Sequence, residues 1–83
     1  MNTRYLPRLD AMILQAVAAG LSSVQIGAQL HLSRQAVDYR IGQMLRELRV
    51  VNRPQLVSRA YSLGFFPARS WPPRFSPEYI REG

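Results

Sequence analysis

The stretch SSVQIGAQLHLSRQAVDYRIGQMLREL, Ser22 to Leu48, contains two helical patterns separated by a short corner. Ser22 is placed to cap a helix through Val24, Gln25, Ile26, Gly27 and Leu30, with Gln25 three residues on to close a capping box. His31 and Leu32 form the corner. Ser33 is placed to cap a longer second helix, in which Val37, Ile41, Met44, Leu45 and Leu48 recur at the spacing of a single buried stripe. A short helix, a tight corner and a longer helix with one polar face predict a helix-turn-helix, the unit that lays its second helix in the DNA major groove.

Charge points to the same class of partner. The chain has 83 residues, eleven of them basic and five acidic, for a net charge of +6, and a basic balance of that size favours a polyanion. All eleven are Arg, whose planar fork suits phosphate and guanine. The length suits one domain, and no receiver or sensor domain is expected beside it, so regulation is expected through abundance, dimerisation or a partner. With no Cys, disulfide and thiolate chemistry are excluded and a reducing interior is expected.

Working outward, the N-terminal side carries Arg4 and Arg8 ahead of the apolar stretch Ala11 to Leu21, a weak imitation of a signal peptide. Asp10 and Gln15 interrupt it, and Leu9, Met12, Ile13, Ala16 and Val17 fall at the period of an amphipathic helix. No run approaches the roughly 20 apolar residues of a membrane span, so a cytoplasmic protein with no membrane partner is expected. The first helix is predicted from Pro7 or Arg8 to Ala19, with Pro7 in its first turn and Gly20 as its left-handed cap. A fourth helix is predicted to start at Asn52, Arg53, Pro54, Gln55 and to end near Gly64. Beyond Phe66, PARSWPPRFSPEYIREG holds four of the six prolines, which excludes a long helix or a central strand. The predicted organisation is an all-α four-helix domain over residues 1–66 and a Pro/aromatic tail over 67–83.

The run AVAAGLSSVQIGAQLHLSRQAV, continued by MLRELRVVNRPQLVSRAYSLGF, resembles the DNA-binding domain of the LuxR family, also called GerE-like, from about Leu6 to Phe66. The marks are Asp10 in the first helix, then Ala18, Gly20 and Ser22, the pair Ile26 and Gly27, and Leu30, Leu32 and Ser33. Ala36 and Val37 follow, then Leu48, Val50 and Arg53 ahead of the fourth helix. The resemblance implies a four-helix fold, transcriptional regulation and a homodimer joined through the fourth helix. At three places the chain departs from the family pattern: Asp38 replaces a common Lys, Arg40 a common His, and Glu47 a frequent Lys.

Stepping 100° per residue from the buried stripe of the third helix, the opposite face carries Gln35, Tyr39, Gly42, Gln43 and Arg46, flanked by Arg34 and Asp38. Gln pairs with adenine through two hydrogen bonds, Arg46 suits a phosphate, and Tyr39 suits a phosphate or a thymine methyl. Asp38 opposes phosphate unless it is paired, and Arg34, four residues earlier, is placed to pair with it. The candidate contacts to double-stranded DNA are Ser33, Arg34, Gln35, Asp38, Tyr39, Arg40, Gln43, Arg46 and Arg53. Leu56, Val57, Arg59, Ala60 and Leu63 are the candidate dimer residues, because the apolar positions of the fourth helix span more than one core-facing stripe needs.

Trp71, Phe75 and Tyr79 are aromatic for a solvated tail, and Ser76, Pro77 and Glu78 suit the start of a short helix. The tail is therefore expected to fold back on its domain or to clasp a partner. An alternative reading makes the helix-turn-helix a protein-binding module, which suits Asp38, Glu47 and the aromatic tail. With one His, no Cys and five scattered acids, no nucleophile, base or metal cluster stands out, so neither enzyme chemistry nor a cofactor is expected.

Overall fold

The computed structural model describes residues 5–82. Arg4, residues 1–3 and residue 83, which belong to the outer ends of the two predicted segments, lie outside the described residues. The chain forms β1 (Leu6–Pro7), α1 (Arg8–Ala18), α2 (Ser23–Leu30), α3 (Arg34–Glu47) and α4 (Arg53–Ser62), then a 3-10 turn over Pro77–Tyr79 and β2 (Ile80–Arg81). The architecture is the expected all-α one, with one addition. β1 and β2 pair in parallel, Leu6 beside Ile80 and Pro7 beside Arg81, which brings the first and last described elements together.

Local chemistry sets the helix starts. Ser22 and Gln25 close the capping box, the Gln25 amide donating to Ser22 Oγ at 3.2 Å and the Ser22 amide to Gln25 Oε1 at 2.8 Å. Ser33 accepts from the Ala36 amide and Asn52 from the Gln55 amide. Gln55 reaches back one residue further, accepting from the Val51 amide at 3.0 Å. Pro7 stands outside α1 as its N-terminal flanking residue, because β1 has already taken it into an extended conformation.

All four helices close in the same way. Gly20, His31, Arg49 and Gly64 take positive φ, and the next residue donates to a carbonyl five positions back: Leu21 to Ala16, Leu32 to Gly27, Val50 to Leu45 and Phe65 to Ala60. This left-handed closure satisfies carbonyls that the last turn leaves without partners. Glycine adopts it at no steric cost at two ends, whereas His31 and Arg49 adopt it against one.

The core gathers Ile13, Leu14 and Val17 of α1, Ile26 of α2, Val37, Ile41 and Met44 of α3, and Leu56 and Ala60 of α4, with Leu48 just after α3. The α3 stripe is the predicted one, with Leu45 at its edge. The inward face of α1 is rotated by one residue from expectation: Asp10, Leu14 and Val17 are buried, while Met12 is exposed. Asp10 turns inward because it has a cation to meet there, Arg40 of α3 at 3.0 Å.

Phe65, Phe66 and Phe75 complete the core from the C-terminal side. Phe65 packs against Phe75 and Tyr79 with ring centres 4.9 and 5.5 Å apart. The Phe75 amide donates to Gln15 Oε1 at 2.7 Å, and the Ser76 amide to the Phe65 carbonyl at 2.7 Å. The segment after Phe66 thus packs on its own domain. Next to these strands, Arg8 pairs with Glu82; the hydrogen bond from Arg8 holds the Glu82 carboxyl below the usual carboxylate range, against desolvation and with a lesser contribution from the Arg8 charge.

The dimer candidates separate. Leu56 and Ala60 are fully buried, so they belong to the core rather than to an intermolecular surface, a correction to the sequence reading. Their side chains fill the face of α4 that packs on the domain. Val57 lies beside Pro54 along one flank, next to Val17 and Leu21, while Arg59 and Leu63 line the other, next to α3.

Candidate nucleic-acid interface

The outer face of α3 is polar and open. Arg34, Gln35, Asp38, Tyr39 and Arg46 are exposed, Tyr39 retaining 64% of its surface, and Gln43 is half-buried. Ser33 is exposed at the N-terminal end, its hydroxyl occupied by the Ala36 amide. Gln43 Nε2 donates to the Tyr39 hydroxyl at 3.2 Å, one turn apart on the same face. Gly42 leaves room behind them. Arg46 Nη1 lies 3.7 Å from where a Gly42 Cβ would stand, so the guanidinium folds back along the helix, the direction side chains take on a helix surface.

Asp38 is a bridge between helices. Its carboxylate accepts from Arg53 Nη2 at 3.1 Å and from the Ser23 hydroxyl, and Arg34 Nε stands 3.7 Å from its second oxygen. Arg53 also donates to Ser23 Oγ at 2.6 Å. One acid on α3 thereby joins the first turns of α2 and α4. The Arg34 pairing follows from i to i+4 spacing; the Arg53 and Ser23 partners do not, since they stand fifteen positions away on either side. Sequence reasoning missed Ser23, whose only signal was a second hydroxyl beside the cap.

Arg40 does not join the outer face. It is half-buried and turned to α1, where it pairs with the buried Asp10. This pairing gives Arg40 a part in packing α3 on α1. Arg53 remains beside the outer face, held by Asp38.

A cleft of about 570 Å³ extends from this face toward α4, lined by Gln43, Arg46, Glu47, Leu48, Arg49, Arg59 and Leu63. Among the described residues, no group of His, Cys, Asp and Glu is placed to hold a metal ion. No described helix is long and apolar enough to cross a membrane.

The family profile GerE, described as bacterial regulatory proteins of the luxR family, matches residues 7–60. No curated protein and no solved structure matches the chain. The profile runs from the residue before α1 to the last buried position of α4, and therefore includes the helix-turn-helix and the helices that pack behind it. The chain belongs to the luxR family of bacterial regulatory proteins and carries their helix-turn-helix DNA-binding domain.

Proposed function

We propose that the chain is a cytoplasmic transcriptional regulator that reads duplex DNA sequence by placing α3 in the major groove. The observation that carries this reading is the outer face of α3, on which Gln35, Tyr39, Gln43 and Arg46 stand clear of the core with Arg34 at the leading end. Gln35 and Gln43 are the base readers, by paired hydrogen bonds to adenine; Arg34, Ser33 and Arg46 hold phosphates; Tyr39 packs on a thymine methyl or a phosphate. Asp38 orients Arg34 and Arg53, which sit at the edge of the same face. Selection of bound duplexes from a random pool at 100 mM salt tests the reading. A recurring motif is expected, and Gln35→Ala should relax it at particular base pairs at a cost of about 1–3 kcal/mol. Failure to enrich any motif would contradict it.

The regulator acts as a homodimer on an inverted repeat. Pro54 and Tyr61 are exposed on α4 with Val57 half-buried between them, and joining two copies there gives one two-fold axis for two copies of α3. Sedimentation of the full chain beside Val57→Glu and Tyr61→Glu tests this, with a melting curve for each variant because Val57 packs against the core and Tyr61 stacks on Phe66. A monomer at every concentration, with inverted-repeat DNA still bound one copy at a time, would remove the dimer.

One observation favours a second role as a protein-binding module. Trp71 is 79% exposed, and beside it Pro72 and Pro73 flank a groove lined by Met12, Ala16, Leu21 and Leu30. That surface is apart from the outer face of α3, so a protein partner and DNA need not compete.

A further inference from the structure

We infer that the cleft between the C-terminal parts of α3 and α4 is a second phosphate site, in which Arg49 and Arg59 act with Arg46 on the DNA backbone beyond the groove that α3 reads. The inference rests on the proposed placement of α3. Three arginines line this cleft, Arg46, Arg49 and Arg59, against one acidic residue, Glu47. None of the three is in an ion pair among the described residues, whereas Arg8, Arg34, Arg40 and Arg53 all are. Leu48 and Leu63 border the same cleft, and apolar walls strengthen a charge–charge interaction by excluding water.

Length gives the cleft its partner. α3 has 14 residues, about 21 Å at 1.5 Å per residue, against a major groove about 12 Å wide. If the face from Gln35 to Gln43 reads bases, the last turn of the helix must leave the groove across a phosphate strand. Arg46 stands in the last turn of α3, and Arg49 follows it in a fixed left-handed conformation, its amide bonded to the Arg46 carbonyl at 3.2 Å. Arg59 comes from α4 on the facing wall. The arrangement grips a phosphodiester from two sides. The competing role for Arg46 and Arg49, offsetting the negative end of the α3 dipole, does not involve Arg59.

The test is the salt dependence of duplex affinity for the full chain, the double variant Arg49→Gln/Arg59→Gln, and a control, Arg69→Gln/Arg74→Gln. The control removes the same charge from exposed positions in the C-terminal segment. The cleft variant should flatten the slope of log affinity against log salt by about two units, weaken selected and scrambled duplexes by the same factor, and keep the selected motif. Arg49→Lys/Arg59→Lys should restore most of the slope. An unchanged slope in the cleft variant, or an equal loss in the control, would overturn this site while leaving the α3 reading intact. A full chain that binds no duplex at low salt would overturn both.

Discussion

A Cβ placed on Gly27 would overlap the backbone carbonyl oxygen of Leu32, and a backbone atom in a helix corner has nowhere to go. Only a residue without a side chain fits here, because the neighbour is the corner itself. Gly42 is the opposite case, since a Cβ there meets only the end of the flexible Arg46 side chain. Gly27→Ala should therefore cost about 1–3 kcal/mol by overpacking, despite the gain in helix propensity, while Gly42→Ala should stabilise by up to about 1 kcal/mol. Urea unfolding of the two variants measures both, and equal signs would contradict the assignment. His31 gives a third test: at φ +59° it pays a steric penalty that glycine avoids, so His31→Gly should stabilise by about 0.5–1 kcal/mol, read from the same unfolding curves.

Elements were legible in the sequence where their determinants are local. Ser22, Ser33 and Asn52 each cap a helix within three residues of their partner, and Gly20 and Gly64 end helices by their own backbone freedom. What joins one element to another was not legible, because Asp10 meets Arg40 across thirty positions and no spacing rule reaches that far. The rotation of α1 by one residue follows from the same pair. Two predictions belong to this scale. Asp10→Ala leaves Arg40 without its partner and removes the tie between α1 and α3, and should cost about 1–3 kcal/mol, less than for a fully buried pair because Arg40 stays partly solvated. Asp38→Asn should lower the melting temperature by a few degrees, since it weakens a bridge among three helices, yet steepen the salt dependence of DNA binding because Arg34 and Arg53 are released. Loss of stability with no change in that slope would make Asp38 structural alone.

For the whole molecule, the tail and the α4 surface matter most. Phe75 is 6% exposed and packs on both Phe65 and Phe66, so the aromatic residues that stood out in the sequence are used inside the domain, with Trp71 left outside. Ending the chain at Pro67 should lower the melting temperature strongly, as Phe75→Ala alone should cost about 3–5 kcal/mol; an unchanged melting curve would contradict the packed tail. The fold measures 29 × 28 × 28 Å, less than the roughly 34 Å of one DNA turn, a size that fits one copy to one half-site of the proposed inverted repeat. What the sequence showed of the site was the α3 face, a property of one helix; the cleft with Arg49 and Arg59 depends on how α4 lies against α3 and needed the structure. The most direct test of the central claim is an NMR titration of the isotopically labelled full chain with a selected duplex, following backbone and side-chain amides. The account predicts the largest shifts at Ser33, Gln35, Tyr39, Gln43 and Arg46, with Met12 and Trp71 unmoved; shifts centred on Met12, Leu30 and Trp71, with α3 unchanged, would contradict it.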